Sequence, residues 1–179
     1  MHSTGPGELL RRFFSGLAEG VFETHLGVAD PPLIDYISDL LVRFVRSDTI
    51  HRIRGLSGRP LLEVAEMLLE ADCRIGSAKR DIHRHIGDFT LFWTGMYPEA
   101  LREMCGSDRK DFFVDYCAQG KKAYRIASTI LTESNEDAPS ELLLRLSSQF
   151  EMCAYGLREV RREWEEGDGD SPARPMLYT

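Results

Sequence analysis

Asp81-Ile82-His83-Arg84-His85-Ile86-Gly87-Asp88-Phe89-Thr90-Leu91-Phe92-Trp93-Thr94-Gly95-Met96-Tyr97-Pro98-Glu99 is the run on which the fold turns. Its apolar residues Ile82, Ile86, Phe89, Trp93 and Met96, with Ile75 upstream, recur at three-, four- and seven-residue steps. That is the period of one helix face. Pro98 ends the pattern, because the residue before a proline, here Tyr97, is driven out of the α region. Gly87 and Gly95 each weaken a helix by roughly 1 kcal/mol relative to alanine. Two such losses in one run point to a neighbour packing closely, or to a bend. The run reads as a central core helix.

The same stretch holds two of the five histidines. On a helix His83 and His85 point about 160° apart, so they cannot share one metal ion. A strand would put both on one face, but the surrounding period is helical. His85 has Asp81 at i−4 and Asp88 at i+3 on its own side. A carboxylate at that distance raises an imidazole pKa and can orient the ring as acid, base or ligand. The same spacing describes an ordinary surface Asp–His pair, which is the commoner case.

Working outward, 179 residues suit one domain with a core that needs no covalent staples. A net charge of −7 argues against generic nucleic-acid binding, which calls for an excess of Lys and Arg. Cys73, Cys105, Cys117 and Cys153 form no C-x-x-C, which excludes zinc-ribbon, redox-pair and c-type haem signals. The N-terminus lacks the basic region and apolar core of a signal peptide, and no apolar run approaches the ~18–20 residues of a membrane span. The expectation is a cytoplasmic protein with four free thiols, most of them buried.

Six further helices are expected around the central one. Leu10, Phe13, Phe14, Leu17, Val21 and Phe22 mark a helix from Glu8 to Leu26, with Gly27 as its cap. Asp30-Pro31-Pro32 opens another, reaching about Arg46 with a wide apolar stripe. Pro60 opens a third, from Leu61 to about Lys79, with a kink at Gly76 before it runs into the central stretch. After a short helix from Glu99 to Met104, a long one spans about Arg109 to Thr132. Its face is thinned by Gly120, Ala123 and Ala127 and flanked by Tyr116 and Tyr124. The last runs from about Glu141 to Glu166. Residues 1–166 thus form one all-α helical domain of about five to seven helices, ending in an αα-hairpin. Residues 167–179 are expected to be a flexible tail.

No segment carries a motif with a fixed chemistry. G-x-S-x-G, HExxH, Glu-x-x-His, the Walker loop and G-x-G-x-x-G are all absent. Arg52, Arg54 and Arg59 gather in the aperiodic stretch 47–60, either as an anion site or as cations complementing a helix C-terminus. Glu63, Glu66, Glu70, Arg74, Asp81, Arg84 and Asp88 alternate in charge and read as one solvated, ion-paired face. Two functional classes follow. One is a helical interaction or scaffold protein with a protein partner or a second copy of itself. The other is a small-molecule- or metal-binding bundle, with enzyme activity open, built on His85, Asp81, Asp88 and Tyr124, with Glu70 as a further candidate. No metal motif and no cofactor is indicated.

Overall fold

The computed structural model describes residues 6–46, 53–55, 57–132 and 138–167. Capping chemistry sets its helix boundaries. Asp30 opens α2 (Pro31–Val45), its side chain accepting from the Leu33 amide at 3.3 Å while proline fills the first turn. Before it, α1 (Pro6–Glu19) widens into a π turn, Gly20–His25, and the chain leaves through Gly27 at φ +66°. The expected helix from Glu8 to Leu26 is therefore one segment in two geometries.

Two expected boundaries shift for one reason. Asp111, fully buried, accepts from the Val64 amide at 2.8 Å and the Ala65 amide at 2.7 Å. It thereby caps α3 (Val64–Asp72) from a distant part of the chain, and α3 starts there rather than at Leu61. With Asp111 so engaged, Lys110–Phe113 forms only a 3₁₀ turn. The helix expected from Arg109, α6 (Tyr116–Thr129), begins later, with Asp115 capping the Ala118 amide at 3.0 Å.

The chain breaks at Cys73–Ile75, and Gly76 at φ +58° leads into α4 (Gly76–Met96). Pro98–Ala100 forms a 3₁₀ turn, followed by the single-turn α5 (Leu101–Met104). The C-terminal run divides at Gln149 into α7 (Ser140–Ser148) and α8 (Phe150–Gly167). Beyond that break Phe150 sets its ring against Gly120 and Tyr124 of α6. The described residues thus hold seven helices longer than one turn and no strand beyond an isolated Arg54–Pro60 bridge. This is a single all-α domain.

At its centre, α4 packs on α6, α8, α3 and α2, while α6 runs against α7 and α8 as the C-terminal helical hairpin. Fourteen of the 21 residues of α4 are buried, so the helix is enclosed on nearly every side. The close packing anticipated at its glycines is present. A Cβ on Gly87 would lie 2.6 Å from the Tyr124 ring, and one on Gly95 would lie 2.6 Å from Cβ of Leu157. Each large apolar side chain buried around this axis contributes about 1.5–3 kcal/mol. The expected solvated face does not extend along α4: Asp88 is buried, as is Glu70 on α3. The thiols also differ from expectation. Cys153 is buried, Cys105 and Cys117 are partly covered, and Cys73 is exposed. No described helix is long and apolar enough to cross a membrane.

Candidate ligand-binding cleft

Asp88 is the only acidic side chain of α4 buried in its core, at 1% exposure. A carboxylate taken out of water needs donors on both oxygens. Oδ1 accepts from the Tyr36 hydroxyl at 2.5 Å and from the Tyr124 hydroxyl at 2.8 Å. Oδ2 accepts from Nη1 of Arg43 at 2.9 Å. One side chain therefore joins α2, α4 and α6. Gly87 makes this possible, since its missing side chain admits the Tyr124 ring beside the helix.

Burial alone would push the Asp88 carboxyl up. Arg43, then Arg84 and the two phenols, outweigh it and hold the group below the usual carboxylate range. Burial and the Asp88 charge push both phenols up, so Tyr36 and Tyr124 remain protonated donors. Tyr36 also accepts from Nε of Arg84 at 3.2 Å. The guanidiniums of Arg43 and Arg84 lie 5.7 and 5.4 Å from its ring centre, within cation–π range. Both arginines are thus fixed in position by a tyrosine that is itself anchored to Asp88.

This cluster forms one wall of a cleft of about 980 Å³. Pro32, Tyr36, Asp39 and Arg43 line it from one face of α2, at helical spacing, with Arg46 just past the end of that helix. The start of α1 contributes Gly7, Glu8 and Arg11, and the start of α7 contributes Glu141, Leu142 and Arg145. Two of the arginines are already paired, Arg11 with Asp39 at 2.9 Å and Arg145 with Asp30 at 3.0 Å. Arg43 is only half satisfied: its Nη2 is buried and makes no hydrogen bond among the described residues. Arg84, whose Nε donates to Tyr36, lines the same cleft.

Of the residues singled out from sequence, Asp88 and Tyr124 come together. Asp81 is exposed. His85 is buried, but its ring stacks on Phe44 at 6.0 Å and lies 6.1 Å from Phe89, among aromatics. Both Asp88 oxygens are turned to Tyr36, Tyr124 and Arg43. Glu70 pairs with Arg74 at 2.5 Å. In the arginine-rich stretch, Arg54 donates to the Gly58 carbonyl at 2.8 Å and Arg59 lies 3.7 Å from Glu66; Arg52 falls outside the described residues. Tyr36, Arg43 and Arg84 were not singled out. One signal for them was present: Arg84 precedes Asp88 by one helical turn. The other was a tyrosine and an arginine seven apart on α2, inside an otherwise apolar stripe.

Around Asp88 the neighbours are hydrogen-bond donors, a set that suits an anion rather than a cation. Among the described residues, no group of three or more His, Cys, Asp or Glu side chains is gathered to hold a metal ion. No protein-family model, curated protein or solved structure matches the chain.

Proposed function

We propose that the protein is a ligand-binding helical bundle whose cleft receives the acidic group of a small molecule on Arg43 and Arg84. The observation that carries this reading is Nη2 of Arg43. It is a buried guanidinium nitrogen with no acceptor among the described residues, on a side chain that lines the cleft. Leaving such a donor unpaired costs about 1–3 kcal/mol, more for a charged group, and an incoming carboxylate or phosphate oxygen removes that cost. The site is also preorganised. Tyr36 and Asp88 hold the guanidiniums in place before any ligand arrives, which lowers the entropy lost on binding. Planar forks of this kind recognise carboxylate and phosphate oxygens in pairs.

The test is a titration of the arginine Nε–Hε resonances with succinate and with inorganic phosphate. Saturable shifts at Arg43 and Arg84, lost in Arg84→Gln, are expected. Shifts that follow ionic strength alone, or that survive in the variant, overturn the reading.

A second reading, an interaction protein with a protein partner or a second copy, draws on Leu9 and Phe13. Both are exposed one turn apart on α1, with Phe13 packed 6.4 Å from Trp164. Sedimentation of wild type beside Leu9→Glu decides it. Association lost in the variant supports this reading, and a monomer in both excludes self-association through α1.

A further inference from the structure

We infer that a second copy of the chain docks on the outer face of α1, antiparallel to it, about a two-fold axis between Gly16 and Gly20. The inference rests on the interaction reading above and names its partner. Leu9, Phe13, Gly16 and Gly20 follow one another at steps of four, three and four residues, which is one side of a helix. Leu9 and Phe13 are exposed there. A Cβ added at Gly16 or Gly20 would meet nothing within 4 Å among the described residues.

That emptiness sets this face apart. Inside α4, α6 and α8, Gly87, Gly95, Gly120 and Gly156 each admit a side chain from another segment: Tyr124, Leu157, Phe150 and Phe22 in turn. Glycine costs a helix roughly 1 kcal/mol, and at those positions contact compensates. At Gly16 and Gly20 no contact among the described residues does so. Two bare positions one turn apart let a second backbone come close.

Charge names the occupant. Arg12 and Glu23 are exposed and form no ion pair or hydrogen bond among the described residues. Arg12 stands about one turn before Gly16 and Glu23 about one turn after Gly20, on the same flank of the face. In an antiparallel pair, the register that sets Gly16 against Gly20 of the second copy also brings Arg12 to Glu23, twice over by symmetry. A parallel copy would set Arg12 against Arg12 and Glu23 against Glu23. The face is therefore complementary to itself in one orientation. A contact one helix long is small, so the association is weak and concentration-dependent. Gly7 and Arg11, which line the cleft, lie on the opposite side of α1, and docking leaves the cleft open.

The measurement is sedimentation equilibrium of the full chain over a range of concentrations. Wild type is expected to reach a dimer. Arg12→Glu and Glu23→Arg each set like charges against each other in both pairs, and each should weaken the dimer about tenfold. The double variant Arg12→Glu/Glu23→Arg restores the match with the signs exchanged and should return to within about twofold of wild type. Gly16→Gln puts a side chain into the crossing and should abolish the dimer without lowering the melting temperature of the single chain. A wild type that stays monomeric removes self-association through α1, and this inference with it. A dimer that ignores the single reversals, or that the double reversal fails to restore, leaves self-association standing and overturns the antiparallel pairing. A dimer indifferent to Gly16→Gln overturns the crossing at the glycines.

Discussion

The hydroxyl of Tyr36 donates to Oδ1 of Asp88 at 2.5 Å, tying α2 to α4 across 52 positions of sequence. Arg43 secures the other oxygen of the same carboxylate. Asp88→Asn keeps the shape but strips Arg43 of its counter-charge. It is expected to cost about 3–5 kcal/mol in urea unfolding, as breaking a buried pair does. Adding Arg43→Met should return a large part of that loss. Strict additivity of the two substitutions would show that the pair does not act as a unit.

Acid stability should have two separate limbs. Asp88 is held below its ordinary range, so its contribution is complete above the unfolded value of about 3.9 and is lost as pH falls through the lower folded value. His83 acts earlier. Burial first, then Lys79, lowers its pKa, and its Nδ1 is buried without a hydrogen bond among the described residues. Below about 6.5 the unfolded chain therefore binds a proton that the folded chain resists, and stability declines from there to the folded value. His83→Gln should remove the decline between pH 7.5 and 5.5 in urea midpoints. An equal drop in wild type and variant counts against this assignment.

Two glycines should respond in opposite directions. Gly87→Ala drives a methyl group into the Tyr124 ring and is expected to cost about 1–3 kcal/mol. Gly16→Ala, within α1 and with nothing in the added methyl's way, should gain about 0.5–1 kcal/mol. Thermal melts of both variants check this; a shift of the same sign in each would remove close packing as the explanation.

Trp93 sits among Phe89, Phe92 and Tyr97, with ring centres at 6.2, 5.5 and 6.0 Å. Trp93→Ala is expected to cost about 3–5 kcal/mol. A melting curve identical to wild type would mean that this end of α4 carries no core.

Helix positions were legible because they depend on local signals: the Asp30-Pro31 start, the Pro98 stop and the three-four spacing of Ile82, Ile86, Phe89 and Trp93. The glycines of α4 and α6 were legible as close approaches, since only contact compensates for their helix cost. The site was half legible. Asp88 and Tyr124 stood out on their helices, but a charged residue at helical spacing among other charges looks solvated until its partners are known. Those partners, Tyr36 and Arg43, lie 52 and 45 residues away, and no periodicity reports such a pairing. The surroundings of His85 were hidden for the same reason. Its sequence neighbours are acids, whereas the ring stacked on it comes from Phe44 of α2.

Asp111 completes the start of α3 from 46 and 47 positions downstream. During synthesis this imposes an order of assembly. The nine residues of α3 are too few to hold a helix by themselves, and they leave the ribosome with their first amides open to water. They stay so until the chain has been made past residue 111. By then all of α4 has emerged, so the central helix is available to its partners before the segment preceding it can close. The chain's N-terminal half is finished by its C-terminal half.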